Sequence, residues 1–238
     1  MSWQMIKGFD TNRHANLDMI RGLTIIAMML FHICFDLDYF NLIEIDFTND
    51  YFWRFARWVI VSSFVFIMGY TLVLKHGKKI QWKSIKKRFV QLFSLSLLIS
   101  IATFFLFPQT WIYFGVLHFM SLSMFIGLIF VKRPKLSLFL GLLLWYTYAN
   151  DYIPMYDFYN WLSATTGLPR QSEDRVFFVP WLAPMFIGIF AGYYKLLPKM
   201  RSRKSFTFIY FLGRNALAVY MIHQPIFFAA IYILSSLI

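Results

Sequence analysis

Seven apolar stretches, each long enough to cross a lipid bilayer as a helix, constrain the fold of this chain more than any other feature. A hydrocarbon core about 30 Å thick needs roughly 20 mainly apolar helical residues. The stretches cover about residues 17–38, 52–74, 89–107, 112–131, 136–152, 178–194 and 209–236. With 59% apolar and 14% charged residues, a soluble fold of 238 residues could not bury this much apolar surface. The sequence therefore predicts an all-α, polytopic membrane helical bundle of about seven transmembrane helices, forming a single domain over residues 1–238.

Basic residues are concentrated in four segments that a seven-helix arrangement places on the same side of the membrane. Seventeen of the 23 lysines and arginines lie in residues 1–16, 75–88, 132–135 and 195–205. The positive-inside rule makes this side cytoplasmic. We therefore expect a multi-pass protein of the cell (plasma) membrane, with a cytoplasmic N-terminal tail and the C-terminus outside. The same asymmetry accounts for the net charge of +12, so the charge gives no reason to expect a nucleic-acid partner.

The outer side of the predicted bundle carries one long connection, residues 153–177, which is rich in aromatic and charged residues. A connection of this length is typical of a lid or binding loop, and a solvated linker is the alternative. Arg57 lies near the outer end of the second stretch. We expect its guanidinium group either to contact a substrate or to form a salt bridge with an outer acid such as Asp36, Asp38 or Asp50.

The first stretch gathers four ionisable residues on one face. At about 100° per residue, Asp18, Arg21, His32 and Asp36 fall within an arc of about 60°. Ionisable side chains are costly in hydrocarbon unless they face protein or water, so this face should point into the bundle or a wet cavity. Asp36 follows His32 by one helical turn. A carboxylate in that position can hold one imidazole nitrogen and leave the other to accept a proton.

Three histidines lie in predicted spans at a similar depth. His32, His118 and His223 all come out roughly 20 Å from the inner edge, judged from about 1.5 Å of rise per residue. They either share a site or each donate a hydrogen bond to a neighbouring helix, as polar residues in membrane bundles often do. A metal site is not expected, because the sequence has no short histidine spacing and a single cysteine, Cys34.

Two arginines next to glycines lie about one turn inside the predicted cytoplasmic face: Arg21, before Gly22, and Arg214, after Gly213. Glycine permits close backbone approach and arginine can bind phosphate in a bidentate manner. Together with Lys87 and Arg88 they suit an anionic, phosphate-bearing ligand. In the alternative, Arg21 pairs with Asp18 and the lysines only set topology.

The last stretch raises a geometric question. On one continuous helix Arg214 and His223 would point about 180° apart. Either the helix begins irregularly near Gly213, or the two side chains serve different neighbours.

Five segments form a recognisable set of motifs. They are Leu17-Asp18-Met19-Ile20-Arg21-Gly22 with His32 and Asp36, residues 63–70, Phe114-Gly115-Val116-Leu117-His118, Asp174 with Pro180-Trp181, and residues 211–217 with Tyr220, His223, Gln224 and Pro225. This set resembles the transmembrane acyltransferases, and most nearly the small bacterial relatives of the heparan-α-glucosaminide N-acetyltransferase catalytic domain. The resemblance implies transfer of an acetyl or other acyl group from cytoplasmic acetyl-CoA to a hydroxyl or amine of an extracytoplasmic glycan or sugar-like acceptor.

This reaction and the residue patterns together suggest roles for twelve side chains. We expect His32 to be the general base, oriented by Asp36, and His118 to stabilise the oxyanion or carry the acyl group. Donor-binding candidates are Asp18, Arg21, Lys87, Arg88 and Arg214, and acceptor-binding candidates are Arg57, Asp174, Trp181 and His223. The expected partners are the lipid bilayer, acyl-CoA and the acceptor; homo-oligomerisation is left open. A proton-coupled small-solute transporter is the alternative function, because intramembrane Asp, Arg and His also mark ion paths.

Overall fold

The computed structural model describes residues 15–172, 174, 176–198 and 204–237, and most of these residues are helical, with no β-strand among them. The helices are α1 (Ala15–Tyr39), α2 (Tyr51–His76), α3 (Trp82–Leu106), α4 (Val116–Phe130), α5 (Pro134–Ala149), α6 (Met155–Thr166), α7 (Phe178–Tyr193), α8 (Thr207–Arg214) and α9 (Ala216–Ser235). A short 3-10 turn, Lys204–Phe206, leads into α8. The all-α prediction is therefore confirmed for the described residues.

Helices α1, α2, α3 and α9 are long and apolar enough to cross a membrane, judged by length and composition. Helices α4 and α7 are apolar but shorter. Each of the seven apolar stretches overlaps a helix, but α3 begins seven residues before its expected start and the last stretch is divided between α8 and α9. The number of seven spans and the orientation of the termini stay predictions.

The connection expected at residues 153–177 contains a helix that the sequence analysis did not predict. Helix α6 ends at Gly167, which takes the left-handed conformation (φ 71°) and donates its N–H to the carbonyl of Ser163. Tyr159 is buried and its hydroxyl donates to the carbonyl of Val176. The helix was missed because hydropathy detects membrane spans, whereas α6 is a polar and aromatic helix of 12 residues.

The chain forms two compact units, and the prediction of a single domain stays a prediction. One unit comprises the residues up to Leu42 and from Leu197 onward, and contains α1, α8 and α9. At its centre α1 crosses α8 at backbone contact: a Cβ at Gly22 would lie 2.7 Å from the side chain of Ile209, and one at Gly213 would overlap the carbonyl oxygen of Asp18. Only glycine at both positions allows this close approach.

The second unit, Ile43–Leu196, contains α2 to α7. Its apolar core includes Val65, Phe119, Met185 and Ile189, all fully buried. In the connection leading into α2, the carboxylate of Asp46 accepts hydrogen bonds from the side chain and backbone of Asn49 and from the backbone of Thr48, which lowers the pKa of Asp46. Asp50 then caps α2 by accepting the N–H of Phe52.

Candidate active site

At one end of the first unit, two arginines share one buried carboxylate. Asp18 is 1% exposed, and its Oδ1 lies 3.5 Å from Nη1 of Arg21 while its Oδ2 lies 3.3 Å from Nε of Arg214. The arginine side chains remain 25% and 29% exposed. The alternative pairing of Arg21 with Asp18 is thus confirmed, and the same carboxylate also holds Arg214. Two guanidinium groups around one carboxylate leave a net positive charge, partly open to solvent or ligand.

A break between α8 and α9 explains how Arg214 and His223 come to serve different neighbours. Arg214 is the last residue of α8, and Asn215 leaves helical geometry before α9 begins at Ala216. The side chain of Asn215 donates to the carbonyl of Phe211, which satisfies the end of α8. The expected irregularity near Gly213 is therefore confirmed, and it lies at Asn215, two residues further along the chain.

Farther along α1, the rings of His32 and His223 are in contact. Nδ1 of His32 lies 3.3 Å from Nε2 of His223, and the ring centroids are 4.9 Å apart at an interplanar angle of 66°. His223 is buried, 5% exposed. Two of the three histidines expected at a similar depth therefore lie in contact within this unit.

Backbone carbonyls determine which nitrogen of each ring carries the proton. Nδ1 of His223 lies 2.8 Å from the carbonyl of Tyr220 and 3.2 Å from that of Val219. A carbonyl only accepts, so this nitrogen carries the proton of the neutral ring and Nε2 presents its lone pair to His32. Nδ1 of His32, 2.9 Å from the carbonyl of Met28, is then also the protonated nitrogen. The lone pair of neutral His32 therefore falls on its Nε2.

Asp36 does not orient His32, which corrects the sequence-based hypothesis. Its Oδ1 accepts the side-chain N–H of Gln224 at 2.6 Å, and its Oδ2 has no hydrogen-bond partner among the described residues. The orienting contacts to His32 come from Met28 and His223 instead. The spacing of one turn places Asp36 and His32 on one face of α1, but each meets a different residue of α9.

In the second unit, His118 has both ring nitrogens engaged. Nδ1 accepts the N–H of Gly115 at 3.2 Å, and Nε2 lies 3.2 Å from the hydroxyl of Ser100. That hydroxyl donates to the carbonyl of Ile112 at 2.6 Å, so Nε2 of His118 is the donor to Ser100. These contacts fix the first turn of α4 against α3, the kind of structural role left open for a membrane histidine.

Asp174, expected to bind the acceptor, caps the same helix end. Its Oδ2 accepts the N–H of Val116, the first residue of α4, at 3.1 Å. A Cβ at Gly115 would lie 2.7 Å from this oxygen, so glycine makes room for the carboxylate. On either side of it, Ser172 donates to the carbonyl of Trp111 and the N–H of Val176 donates to the carbonyl of Phe114.

The other predicted residues, Trp181, Arg57, Lys87 and Arg88, belong to the second unit. Trp181 packs, partly buried, against the apolar core. Arg57, Lys87 and Arg88 are exposed, and Arg88 donates to the side chain of Gln91. Asp50, one of the acids proposed as partners for Arg57, accepts the N–H of Phe52 at the start of α2. In the part of the chain that the structure describes, no group of three His, Cys, Asp or Glu could hold a metal ion.

The sequence analysis gave no role to Gln224, which it named only as part of a motif, and it did not identify Ser100. Gln224 follows His223 directly on α9, and Asp36 follows His32 by one turn on α1. If the two histidines were expected to meet, a second contact between Asp36 and Gln224 could also have been predicted. Ser100 lies one turn from Ser96 in a mainly apolar stretch, and both serines are buried. Polar residues at this spacing in a membrane helix point to a neighbouring helix.

A model of the family described as heparan-alpha-glucosaminide N-acetyltransferase, catalytic, matches residues 13–225. The match covers most of the chain, and every side chain of the three clusters, from Asp18 to Gln224, lies inside it. No curated protein and no solved structure gives a significant match. The match confirms the family suggested by the sequence motifs: the chain belongs to the heparan-α-glucosaminide N-acetyltransferase catalytic-domain family.

Proposed function

We propose that this protein is an integral-membrane acyltransferase that moves an acetyl or other acyl group from cytoplasmic acyl-CoA to a hydroxyl or amine of an extracytoplasmic glycan or sugar-like acceptor. Family membership and four helices long and apolar enough to span a membrane support a membrane acetyltransferase. The donor, the acceptor class and a plasma-membrane location with the N-terminus inside are our proposal.

The shared arginine cluster suits the phosphates of the donor. Asp18 holds Arg21 and Arg214 at fixed positions, and about a quarter of each arginine side chain stays exposed. Guanidinium groups bind phosphate oxygens through two parallel N–H donors, and the cluster retains one net positive charge. His32 lies eleven residues farther along α1, about 16 Å by helical rise, which suits an extended pantetheine arm.

The histidine pair suits general base catalysis. Nε2 of His32 takes the proton of the acceptor O–H or N–H while that oxygen or nitrogen attacks the thioester carbonyl carbon. The carbon–sulfur bond then breaks, and the CoA thiolate leaves and takes up the proton. The positive charge that His32 gains is stabilised through Nδ1–H by the Met28 carbonyl and the Nε2 lone pair of His223. His223 thus takes the orienting role first given to Asp36.

The observation that carries this mechanism is the 3.3 Å contact from Nδ1 of His32 to Nε2 of His223. The test is acetyl transfer from labelled acetyl-CoA to a panel of glycan acceptors by purified protein in nanodiscs, with acetyl-CoA binding measured by calorimetry. His32→Ala should lose transfer by at least about 100-fold while binding acetyl-CoA normally. His76→Gln, a buried histidine of the second unit, is the matched control. Near-normal transfer by well-folded His32→Ala protein would refute the assignment.

A proton-coupled transporter is the second candidate, because His32, His223 and Asp36 lie along helices long enough to span the membrane. Such a chain of titratable groups can also relay protons. Acyl-CoA binding distinguishes the two functions: the enzyme requires it. Solute-dependent proton flux into vesicles without acyl-CoA binding would favour the transporter.

A further inference from the structure

Two oxygen atoms next to the histidine pair are buried without a hydrogen-bond partner among the described residues: Oδ2 of Asp36 and Oε1 of Gln224. They belong to the two side chains that already share one hydrogen bond, from Nε2 of Gln224 to Oδ1 of Asp36 at 2.6 Å. Asp36 as a whole is fully buried. Each side chain therefore uses one of its two polar atoms on the other and leaves the second unused.

An ionised Asp36 cannot satisfy this arrangement. Both unused oxygens would then be acceptors, so neither could form a hydrogen bond to the other. A proton on Oδ2 of Asp36 turns that atom into a donor, for which Oε1 of Gln224 is the complementary acceptor. A carboxylic acid and an amide joined in this way form a closed ring with two hydrogen bonds, and no buried polar atom of either side chain is left over.

The charges around Asp36 favour the neutral acid. Asp18, the other buried carboxylate among the described residues of this unit, has two arginines within 3.5 Å as partners. Asp36 forms no ion pair in the described part of the chain, and a buried charge without a partner is strongly disfavoured. The nearest ionisable residues along the two helices that carry this pair are few. On α1, His32 and Asp38 flank Asp36, and on α9, His223 adjoins Gln224. Arg214, on α8, is held by Asp18, which lies about 27 Å from Asp36 along α1, judged from the helical rise.

We propose that Asp36 is a protonated positioning residue, which forms a closed acid–amide pair with Gln224 and thereby holds His223 against His32. Asp36 follows His32 by one turn of α1, and Gln224 follows His223 directly on α9. The acid–amide pair and the histidine pair are thus neighbouring contacts between the same two helices, and the first fixes the position of the second. The role of this acid–amide pair in catalysis rests on the proposed acyltransferase function. The protonation of Asp36 does not depend on that function.

Infrared spectroscopy tests the protonated state without any assay of activity. In protein reconstituted in nanodiscs at neutral pH, we expect a carbonyl stretching band of a protonated carboxylic acid that shifts in heavy water. Asp36→Asn should remove this band and Gln224→Met should shift it, because the acid loses its amide partner. Asp38→Asn, two residues away on the same helix, is the matched control and should leave the band intact. A spectrum with no such band, or a band unaffected by Asp36→Asn, overturns the proposal.

A second comparison tests positioning. Asn at residue 36 can accept from Nε2 and donate to Oε1 of Gln224, so it mimics the neutral acid, whereas Leu can do neither. We expect Asp36→Leu to lower the melting temperature by several degrees and to reduce acyl transfer, with Asp36→Asn restoring most of both. Equal losses in the two variants would show that the negative charge matters and would overturn the proposal. If no variant and no wild-type sample transfers acyl groups while the infrared result holds, the proposed function fails and the acid–amide pair stands.

Discussion

Gly213 is the position at which one added methyl group should both destabilise the protein and weaken donor binding. Residue 213 precedes Arg214 in α8 and touches the backbone of α1 at Asp18. A Cβ there would overlap the carbonyl oxygen of Asp18 and lie 2.7 Å from its carbonyl carbon. Neither atom can rotate away, because both belong to the backbone of a helix. In Gly213→Ala the two helices must therefore separate, by a distance on the order of 1 Å.

The expected cost follows from this separation. Alanine is favoured over glycine in a helix interior by about 1 kcal/mol, and less near a helix end. Overpacking usually costs about 1–3 kcal/mol, and an immovable backbone contact belongs at the upper end of that range. We expect a net destabilisation of about 2 kcal/mol, or a fall in melting temperature of about 4–8 °C. Moving Arg214 away from Asp18 should also lower acyl-CoA affinity by about tenfold, equivalent to about 1.4 kcal/mol.

Thermal unfolding in nanodiscs and acetyl-CoA calorimetry measure the two effects. Gly127→Ala is the matched control: its Cβ would meet the flexible ends of Leu72 and Met185 at 3.2 and 3.3 Å, in the second unit. This variant should be close to wild type in stability and in binding. If Gly213→Ala melts at the wild-type temperature, the close contact of α1 with α8 is wrong. If it is destabilised but binds acetyl-CoA normally, Arg214 does not hold the donor.

Two further predictions concern the start of α4. His118→Leu should destabilise the protein by about 1–3 kcal/mol, because the N–H of Gly115 loses its acceptor and the hydroxyl of Ser100 loses the donor that it accepts from. Loss of transfer at unchanged stability would instead indicate a catalytic His118. Asp174→Ala should cost about 1 kcal/mol through loss of the cap on Val116, with Asp174→Asn costing less because its amide oxygen still accepts. Thermal unfolding checks both, and a stable Asp174→Ala protein with a raised acceptor KM would contradict the capping role.

The positions of most helices were predictable because nearly every long run of apolar residues in the sequence marks one helix. A run of apolar residues gives the length of a span directly, and α2 and α7 fall within a few residues of the expected stretches. Helix α6 escaped because it is short, polar and aromatic, and is held by local contacts such as the cap at Gly167. Its detection required capping chemistry rather than hydropathy.

The sequence predicted which residues of α1 belong to the candidate site better than it predicted which residues contact each other. Helical spacing placed His32 and Asp36 on one face of α1, and that face does meet α9 within the first unit. Spacing on one helix cannot show which residue of a second helix lies opposite, because that depends on the register between them. The register pairs His32 with His223 and Asp36 with Gln224, so the expected carboxylate–imidazole contact did not form.

The histidines also show why residue type alone does not identify a base. His118 uses Nδ1 as an acceptor for a backbone N–H and Nε2 as a donor to Ser100, so both nitrogens of its neutral ring are occupied in holding α4. His223 has the opposite tautomer, because backbone carbonyls at Nδ1 leave the lone pair on Nε2. That lone pair meets Nδ1 of His32 and, with the Met28 carbonyl, keeps the proton of His32 there. Backbone groups thus set all three tautomers, and they direct the lone pair of His32 to Nε2, the atom that a proton-accepting role requires.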